Sequence, residues 1–373
     1  MTERAEVTLL QGFVEDHRRS MNWYADSLAR AIEGVAGDRF RVRQYLPRLA
    51  AGSTALLGPR LRFGRYVTYP LAARRSGGAL AHIVDHAYAH LLYALAPRRA
   101  VVTVHDLIPA LAWKGAIPGL SYPHYPLLFE VAMHALPRAG AIIAVSESTK
   151  RDLVTTYGLS PERITVVHNG LDERFRPFSS EARADARAAL ALPRVPVRLV
   201  LIVGSQVYKN HVTSHRVMHH LEQTTGLPIQ LVWLGGRANS ETWQSSIALR
   251  RPVIHLRDLS VEQLVSLYNS VDVLLFPSHY EGFGWPPVEA MASGTAVVTS
   301  QAPALVEVTG DAASSAPATD VDGLARSVGR LLEDEPWRIE STRRGLSQAR
   351  RFTWARCAQG VVSVYDRLLH EAQ

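Results

Sequence analysis

Residues 276–299 read FPSHYEGFGWPPVEAMASGTAVVT. The run Val273–Phe276 just before and into this stretch is apolar and reads as a buried strand. A polar loop follows, then Gly282-Phe283-Gly284, then Trp285-Pro286-Pro287, then a helical pattern through Met291 that stops at Gly294. Proline suits the first turn of a helix, where its missing N–H would be unpaired anyway. Glycine lets the chain turn tightly and lets a ligand approach the backbone. The pattern is a strand, a glycine loop and a helix N-terminus able to face an anionic group. Two carboxylates bracket the turn, Glu281 before it and Glu289 on the helix. Such carboxylates are good acceptors for paired sugar hydroxyls. A lone glycine loop would read as a plain turn; the flanking glutamates point to a binding site.

The same punctuation recurs outward from this stretch. Ala296–Thr299, Val253–Leu256, Ile229–Leu234 and Arg198–Val203 read as buried strands in the second half. Glu6–Leu10, Ala100–Val104, Ala141–Val145 and Ile164–Val167 do so in the first, where Trp23–Ile32 has helical spacing. Strands alternating with helices predict an α/β fold of two Rossmann-like, doubly wound parallel-sheet units. The periodicity lapses at 174–180 and again around Pro193 and Pro196. The expected domains are therefore 1–185 and 186–350, with a helical tail over 351–373. Ligands of open parallel sheets bind beyond the carboxyl ends of the strands. Candidate positions are then Gln11-Gly12, His105-Asp106, Ser146-Glu147, His168-Asn169-Gly170, Gly204-Ser205, Gly235-Gly236, Pro277-Ser278 and Ser300.

Composition narrows the function classes. The chain has 373 residues, 47% of them hydrophobic, and one cysteine, Cys357, which leaves no internal disulfide framework and no Cys-rich metal site. The charged opening MTERAEVTLLQG does not read as an export signal, and no run approaches the roughly 18 apolar residues that span a bilayer. A location in the cytoplasm, or at the inner face of the membrane, is expected. The net charge of +7 is uneven: Arg39–Arg99 holds eleven arginines against the single acid Asp85. Such a window can attract anionic lipid, a phosphorylated substrate or nucleic acid. It carries no recognition-module signature, so nucleic acid is not the expected partner.

Glu281-x7-Glu289 within HYEGFGWPPVEAMASGTAVV resembles the signature of retaining glycosyltransferases of family 4, which have the GT-B fold of two Rossmann-like domains facing a central cleft. TVHDLIP (103–109), AVSESTKRDLVTTYGLSPERITVVHNGLD (144–172), GSQVYKNH (204–211) and DLSVEQLVSLYNSVDVLLFPS (258–278) resemble the same family, in its order. The resemblance implies a nucleotide-sugar donor, GDP- or UDP-linked, and no cofactor or metal. Glu289 would hold the ribose hydroxyls and Glu281 the donor sugar. Gly282, Phe283 and Gly284 would present backbone to sugar or phosphate. Gly204, Ser205 and Lys209 would meet the diphosphate, and Asp258 and Leu259 would border the base. His105 would sit over the donor sugar, with Lys209 and Glu281 the other catalytic candidates. Gly12, Asn22 and Asn169 would line the acceptor side. The helix over 351–373 would pack back on the N-terminal domain.

The resemblance further implies transfer with retention, through same-face displacement, of a hexose to a glycan or lipid-linked cell-envelope or exopolysaccharide acceptor, mannose being preferred. Two departures stand out. Tyr208 replaces the arginine that many members place before the lysine, and GFVEDHRRSMNWYADSL replaces their glycine-rich first loop. Asp16, His17, Arg18 and Arg19 of that loop are acceptor candidates. Arg60, Arg62, Arg65, Arg74 and Arg75 are candidates for an anionic bilayer or a diphosphate-linked acceptor. A GT-B sugar-nucleotide epimerase and a non-catalytic sugar-nucleotide-binding protein are the alternatives. The Glu281-x7-Glu289 context argues against the first, and retention of His105, Lys209 and both glutamates against the second.

Overall fold

The computed structural model describes residues 4–49, 57–75, 78–96, 98–121, 126–235 and 249–371, with the side chain of Arg19 left aside. Gly236, a candidate above, lies outside the described residues. Contacts divide the chain into two compact units. The first comprises Met1–Lys114, Tyr122–Gly170 and Thr353–Gln373; the second comprises Gly115–Ser121 and Leu171–Phe352.

The first unit carries a six-stranded sheet of β1 (Ala5–Leu10), β2 (Phe40–Tyr45), β3 (Leu80–Ile83), β4 (Ala100–Val104), β5 (Ala141–Ala144) and β6 (Ile164–Val166), in the order β2-β1-β3-β4-β5-β6. All neighbours are parallel. β3, β4 and β5 are buried at every position, so their apolar residues do not alternate with polar ones. Each fully buried aliphatic side chain there contributes about 1.5–3 kcal/mol.

The helix Trp354–Glu371 belongs to this unit and packs along Arg19–Ala36. Its Val361, Val362, Val364 and Leu368 are buried. Polar ties fix its register: Tyr365 Oη lies 2.6 Å from His82 Nδ1, and Asp366 pairs with Arg39 at 2.8 Å. The other His82 nitrogen, Nε2, bonds Thr103 Oγ1 at 2.7 Å, so this buried ring on β3 is satisfied on both sides.

The second unit has β7 (Arg198–Val203), β8 (Ile229–Leu234), β9 (Ile254–Leu256), β10 (Val273–Phe276), β11 (Ala296–Ser300) and β12 (Ser314–Ala316), also parallel, in the order β12-β11-β10-β7-β8-β9. The expected boundary at 185/186 differs from these units, because residues 171–185 already belong to the second. Arg174 reaches Glu262 at 2.7 Å, the Phe178 N–H donates to Asn269 Oδ1 at 2.8 Å, and the Phe175 ring stands edge-on to Tyr268. The proline-rich lapse in periodicity is thus a connection inside one unit.

Buried histidines give stability a pH dependence. Burial pushes His82 down to about 3, His90 and His105 to about 4, His211 to about 3 and His215 to about 4. The unfolded chain takes up these protons below pH 6.5 while the fold resists them. Stability is therefore fully present above pH 6.5 and lost as pH falls toward 4, by up to about 1.4 kcal/mol per pH unit for each histidine. Urea midpoints should drop between pH 7.5 and 5; equal midpoints would contradict neutral buried rings. At neutral pH, Tyr365→Phe should cost about 1–3 kcal/mol by leaving His82 with a missing partner, read from the same urea curves.

Candidate active site

In the second unit the strand order reverses between β7 and β10, the position where the carboxyl ends of a doubly wound sheet leave a crevice. The loops after these two strands bring Lys209 and Glu281 together. Lys209 Nζ lies 2.7 Å from Glu281 Oε1, with only 12% and 9% of the two side chains exposed. The ammonium also sits 4.7 Å from the Phe276 ring centre. Charge, hydrogen bond and aromatic face hold the pair in place.

Local bonds build this corner. Gly204 has φ +105, and a Cβ there would lie 3.0 Å from Lys209 Cγ, so only glycine lets the lysine fold back over the turn. Trp233 Nε1 donates to the Gly204 carbonyl at 2.7 Å. The Asn210 amide donates to the Pro277 and Ala318 carbonyls at 3.1 and 2.8 Å, and the His279 N–H to the Tyr208 carbonyl at 2.8 Å. Tyr208 therefore ties the two loops through its backbone, where a family arginine would supply charge. A cavity of about 280 Å³ beside this loop is lined by Ser205, Gln206, His211 and the exposed Arg216, a basic residue that the sequence reading passed over.

The glycine turn does what its sequence suggested. Gly284 has φ +106 and precedes the helix Trp285–Ala292, with prolines in its first turn. A Cβ on Gly284 would come within 2.7 Å of Leu305 Cδ2. Phe283 is buried, its ring 5.6 Å from Phe352. Glu289 lies on this helix, and Tyr268 Oη donates to its Oε2 at 2.8 Å. Burial pushes the Glu289 carboxyl up to about 7, with Asp172 adding to the rise, while the Tyr268 bond and Lys209 oppose it. The group therefore stands near half-protonation at neutral pH, able both to donate and to accept. Tyr268, buried and supplied by the Val261–Ser270 helix, is a partner that the sequence reading missed.

Asp258 and Leu259 follow β9, two strands from β7 on the same carboxyl edge. Asp258 is exposed with φ +48. They share the edge with Lys209 and Glu281 without touching either in any described bond. The chain's Asp-x-Asp triplet, Asp320-Val321-Asp322, is used structurally: Asp320 caps the Val321–Glu333 helix through the Gly323 N–H, and Asp322 pairs with His220 at 3.2 Å.

The first unit gathers a second polar group at its own reversal, between β1 and β3. Gly12 and Phe13 follow β1, and the Phe13 N–H donates to Tyr88 Oη at 3.0 Å. Arg18 pairs with buried Asp85 at 3.0 Å. Burial alone would raise the Asp85 carboxyl, but the Arg18 guanidinium, helped by the Ala87 N–H, outweighs it and holds it below its usual value. His105 follows β4. Its Nε2 lies 2.9 Å from the Val84 carbonyl, so Nε2 carries the hydrogen and Nδ1 is left as an acceptor. Burial, with His86 beside it, pushes His105 down to about 4 and keeps it neutral.

Other candidates in this unit divide clearly. Asp106 accepts from the Ile108 N–H at 3.0 Å, a local turn two residues long that leads into the next helix without capping it. Asp16 is committed to Arg65 and Tyr88. His17 is exposed and Asn22 half-buried. Asn169 is buried, and among the described residues its Oδ1 has no hydrogen-bond partner.

Comparison with known proteins agrees with this arrangement. The family described as "Glycosyltransferase Family 4" matches residues 28–175, and the one described as "Glycosyl transferases group 1" matches residues 192–351. O-antigen chain mannosyltransferase B of Escherichia coli is 27% identical over 314 residues, 80% of this chain and 78% of that protein. The MMP alpha-(1->4)-mannosyltransferase of Mycolicibacterium hassiacum is 34% identical over 237 residues, 61% of this chain and 54% of that protein. Sucrose-phosphate synthase from Thermosynechococcus elongatus superposes with a TM-score of 0.77 over 99% of this chain and 100% of that one, at 20% identity. With both halves matched in chain order, each on the sheet its half requires, the chain belongs to the family 4 glycosyltransferases of GT-B fold.

Proposed function

We propose that the enzyme transfers a hexose, mannose by preference, from a nucleoside diphosphate to a hydroxyl of a glycan or lipid-linked acceptor of the cell envelope or an exopolysaccharide, with retention and without a metal. The observation that carries this is the Lys209–Glu281 pair at the sheet reversal, beside a helix bearing Glu289. Two relatives named as mannosyltransferases support the choice of sugar.

The pair suggests an exchange. Without ligand, Glu281 balances Lys209. An incoming diphosphate, carrying more charge, would draw the ammonium to itself and free Glu281 to accept sugar hydroxyls. Glu289 would take the ribose hydroxyls, its geometry held by Tyr268. In the transfer, the bond from the sugar carbon to the diphosphate oxygen breaks and its electron pair stays on that oxygen. The acceptor hydroxyl forms the new bond on the same face and gives its proton to the departing phosphate. Lys209 and the backbone at Gly284 stabilise the charge that develops there. His105, neutral and with Nε2 tied to the Val84 carbonyl, offers Nδ1 as an acceptor to a sugar hydroxyl.

A thermal-shift screen of GDP, UDP, ADP and dTDP should show the largest rise with GDP, about 2.7 kcal/mol at a hundredfold excess over Kd; no rise with any nucleotide would overturn the donor reading. Lys209→Ala and Glu289→Ala should each lower transfer at least about hundredfold with unchanged circular dichroism, and wild-type rates in either would remove the site assignment. Transfer should survive EDTA. Tyr268→Phe removes the bond that holds the Glu289 carboxyl down, so its protonation moves to higher pH. The pH profile of the donor KM should shift upward with kcat little changed; an unshifted profile would show that Tyr268 does not position Glu289.

A further inference from the structure

The Arg39–Arg99 window does not make a uniform charged face. Arg39 is paired with Asp366 and Arg43 with Glu6. Arg65 turns inward: it pairs with Asp16 at 3.3 Å, donates to the Ala87 carbonyl, and lies 4.1 Å from the Tyr88 ring centre. Arg62, Arg74 and Arg75 are exposed. These three share one continuous helical stretch, made of Leu57–Phe63, a π-helical turn over Gly64–Thr68, and Tyr69–Arg75. No acidic residue occurs between 57 and 75.

The stretch is firmly seated on one side and bare on the other. Gly64, Tyr69 and Ala73 are buried. Tyr69 Oη donates to the Gln11 carbonyl at 2.7 Å, and its ring stacks on Tyr45 at 5.5 Å. On the opposite side Phe63, Val67 and Leu71, four residues apart, are 60%, 43% and 55% exposed. The segment His86–Tyr93 packs against both Tyr69–Arg75 and the helix Leu127–Ala135; Tyr93 of the first and Leu127 and Leu128 of the second are exposed. Among the described residues, every exposed large hydrophobic side chain of the first unit lies on these elements or on the adjoining helix Ile108–Trp113. Apolar side chains gathered in this way mark an interaction surface.

We propose that the first unit docks on an anionic membrane through the 57–75 stretch, with Phe63, Val67 and Leu71 entering the interfacial region and Arg62, Arg74 and Arg75 meeting lipid phosphates. An interfacial helix needs an apolar face beside basic residues, and this stretch has both. Two copies packed face to face through it would bring these arginines against one another, so charge favours lipid over a second copy. The proposal stands apart from the identity of the sugar donor.

Sedimentation of the full chain with vesicles tests it. At low salt the protein should pellet with phosphatidylcholine–phosphatidylglycerol vesicles and stay in solution with pure phosphatidylcholine. Each arginine is worth about fivefold in partitioning, so R62S/R74S/R75S should bind about a hundredfold more weakly. Phe63→Trp should show a blue-shifted emission on the anionic vesicles, and F63S/L71S should lose binding while keeping the wild-type nucleotide-induced thermal shift. Equal pelleting with both vesicle types would overturn the proposal. So would binding that survives the arginine replacements, or a dimer by light scattering that F63S/L71S abolishes. Because nucleotide binding is read separately, failure here and failure of the donor site give different results.

Discussion

A parallel strand buried on both faces can carry chemistry only at its ends. Along β4, β5 and β10 every side chain is enclosed, so a charge placed there would be stranded. Polar groups are displaced to the loops beyond the carboxyl ends, and the strand order decides which loops meet. In the second unit β7 and β10 are neighbours although 72 residues separate Lys209 from Glu281. In the first unit β1 and β3 are neighbours, and Arg18 reaches Asp85 across 67 residues. The same topological reversal thus assembles an ion pair in each half, and both pairs sit where a crevice must open.

Burial then sets the protonation states of these groups. It keeps His105 and His86 neutral and carries Glu289 toward neutrality, while Arg18 holds Asp85 ionised. A neutral imidazole with one nitrogen tied to a carbonyl is an acceptor of fixed direction. A carboxyl near its midpoint can pair with a hydroxyl as donor or acceptor. Neither property belongs to the residue type alone; each comes from how deeply the loop ends are set into the unit.

Much of this was legible in the sequence, for identifiable reasons. β7, β8 and β10 announce themselves as continuous β-branched and leucine-rich runs, and β4 likewise. Lys209, Glu281 and Glu289 follow such runs at short distance, so pattern alone placed them in loops or on a helix start. β2 (FRVRQY) escaped because an edge strand with arginines on its outer face does not look apolar, and β12 (SSA) because three small residues carry no signal. The 57–75 stretch escaped because Gly58, Pro59, Gly64 and Pro70 read as helix breakers, whereas the structure absorbs them at helix starts and in a π turn. Tyr268 and Asp85 were beyond reach for another reason: their importance lies in partners supplied by the fold.

The path of the chain has a consequence for how the protein is made. The chain passes between the units four times, after Lys114, Ser121, Gly170 and Phe352. The first unit is synthesised early, yet its His82 waits for Tyr365 and its Arg39 for Asp366, both on the last helix. A ribosome that has released residues 1–170 has therefore delivered a sheet with one flank uncovered, and the second unit can complete itself while the first cannot. The half that emerges first is completed after the second, and a nascent chain of this kind depends on the eighteen-residue helix Trp354–Glu371 to close the surface it began with.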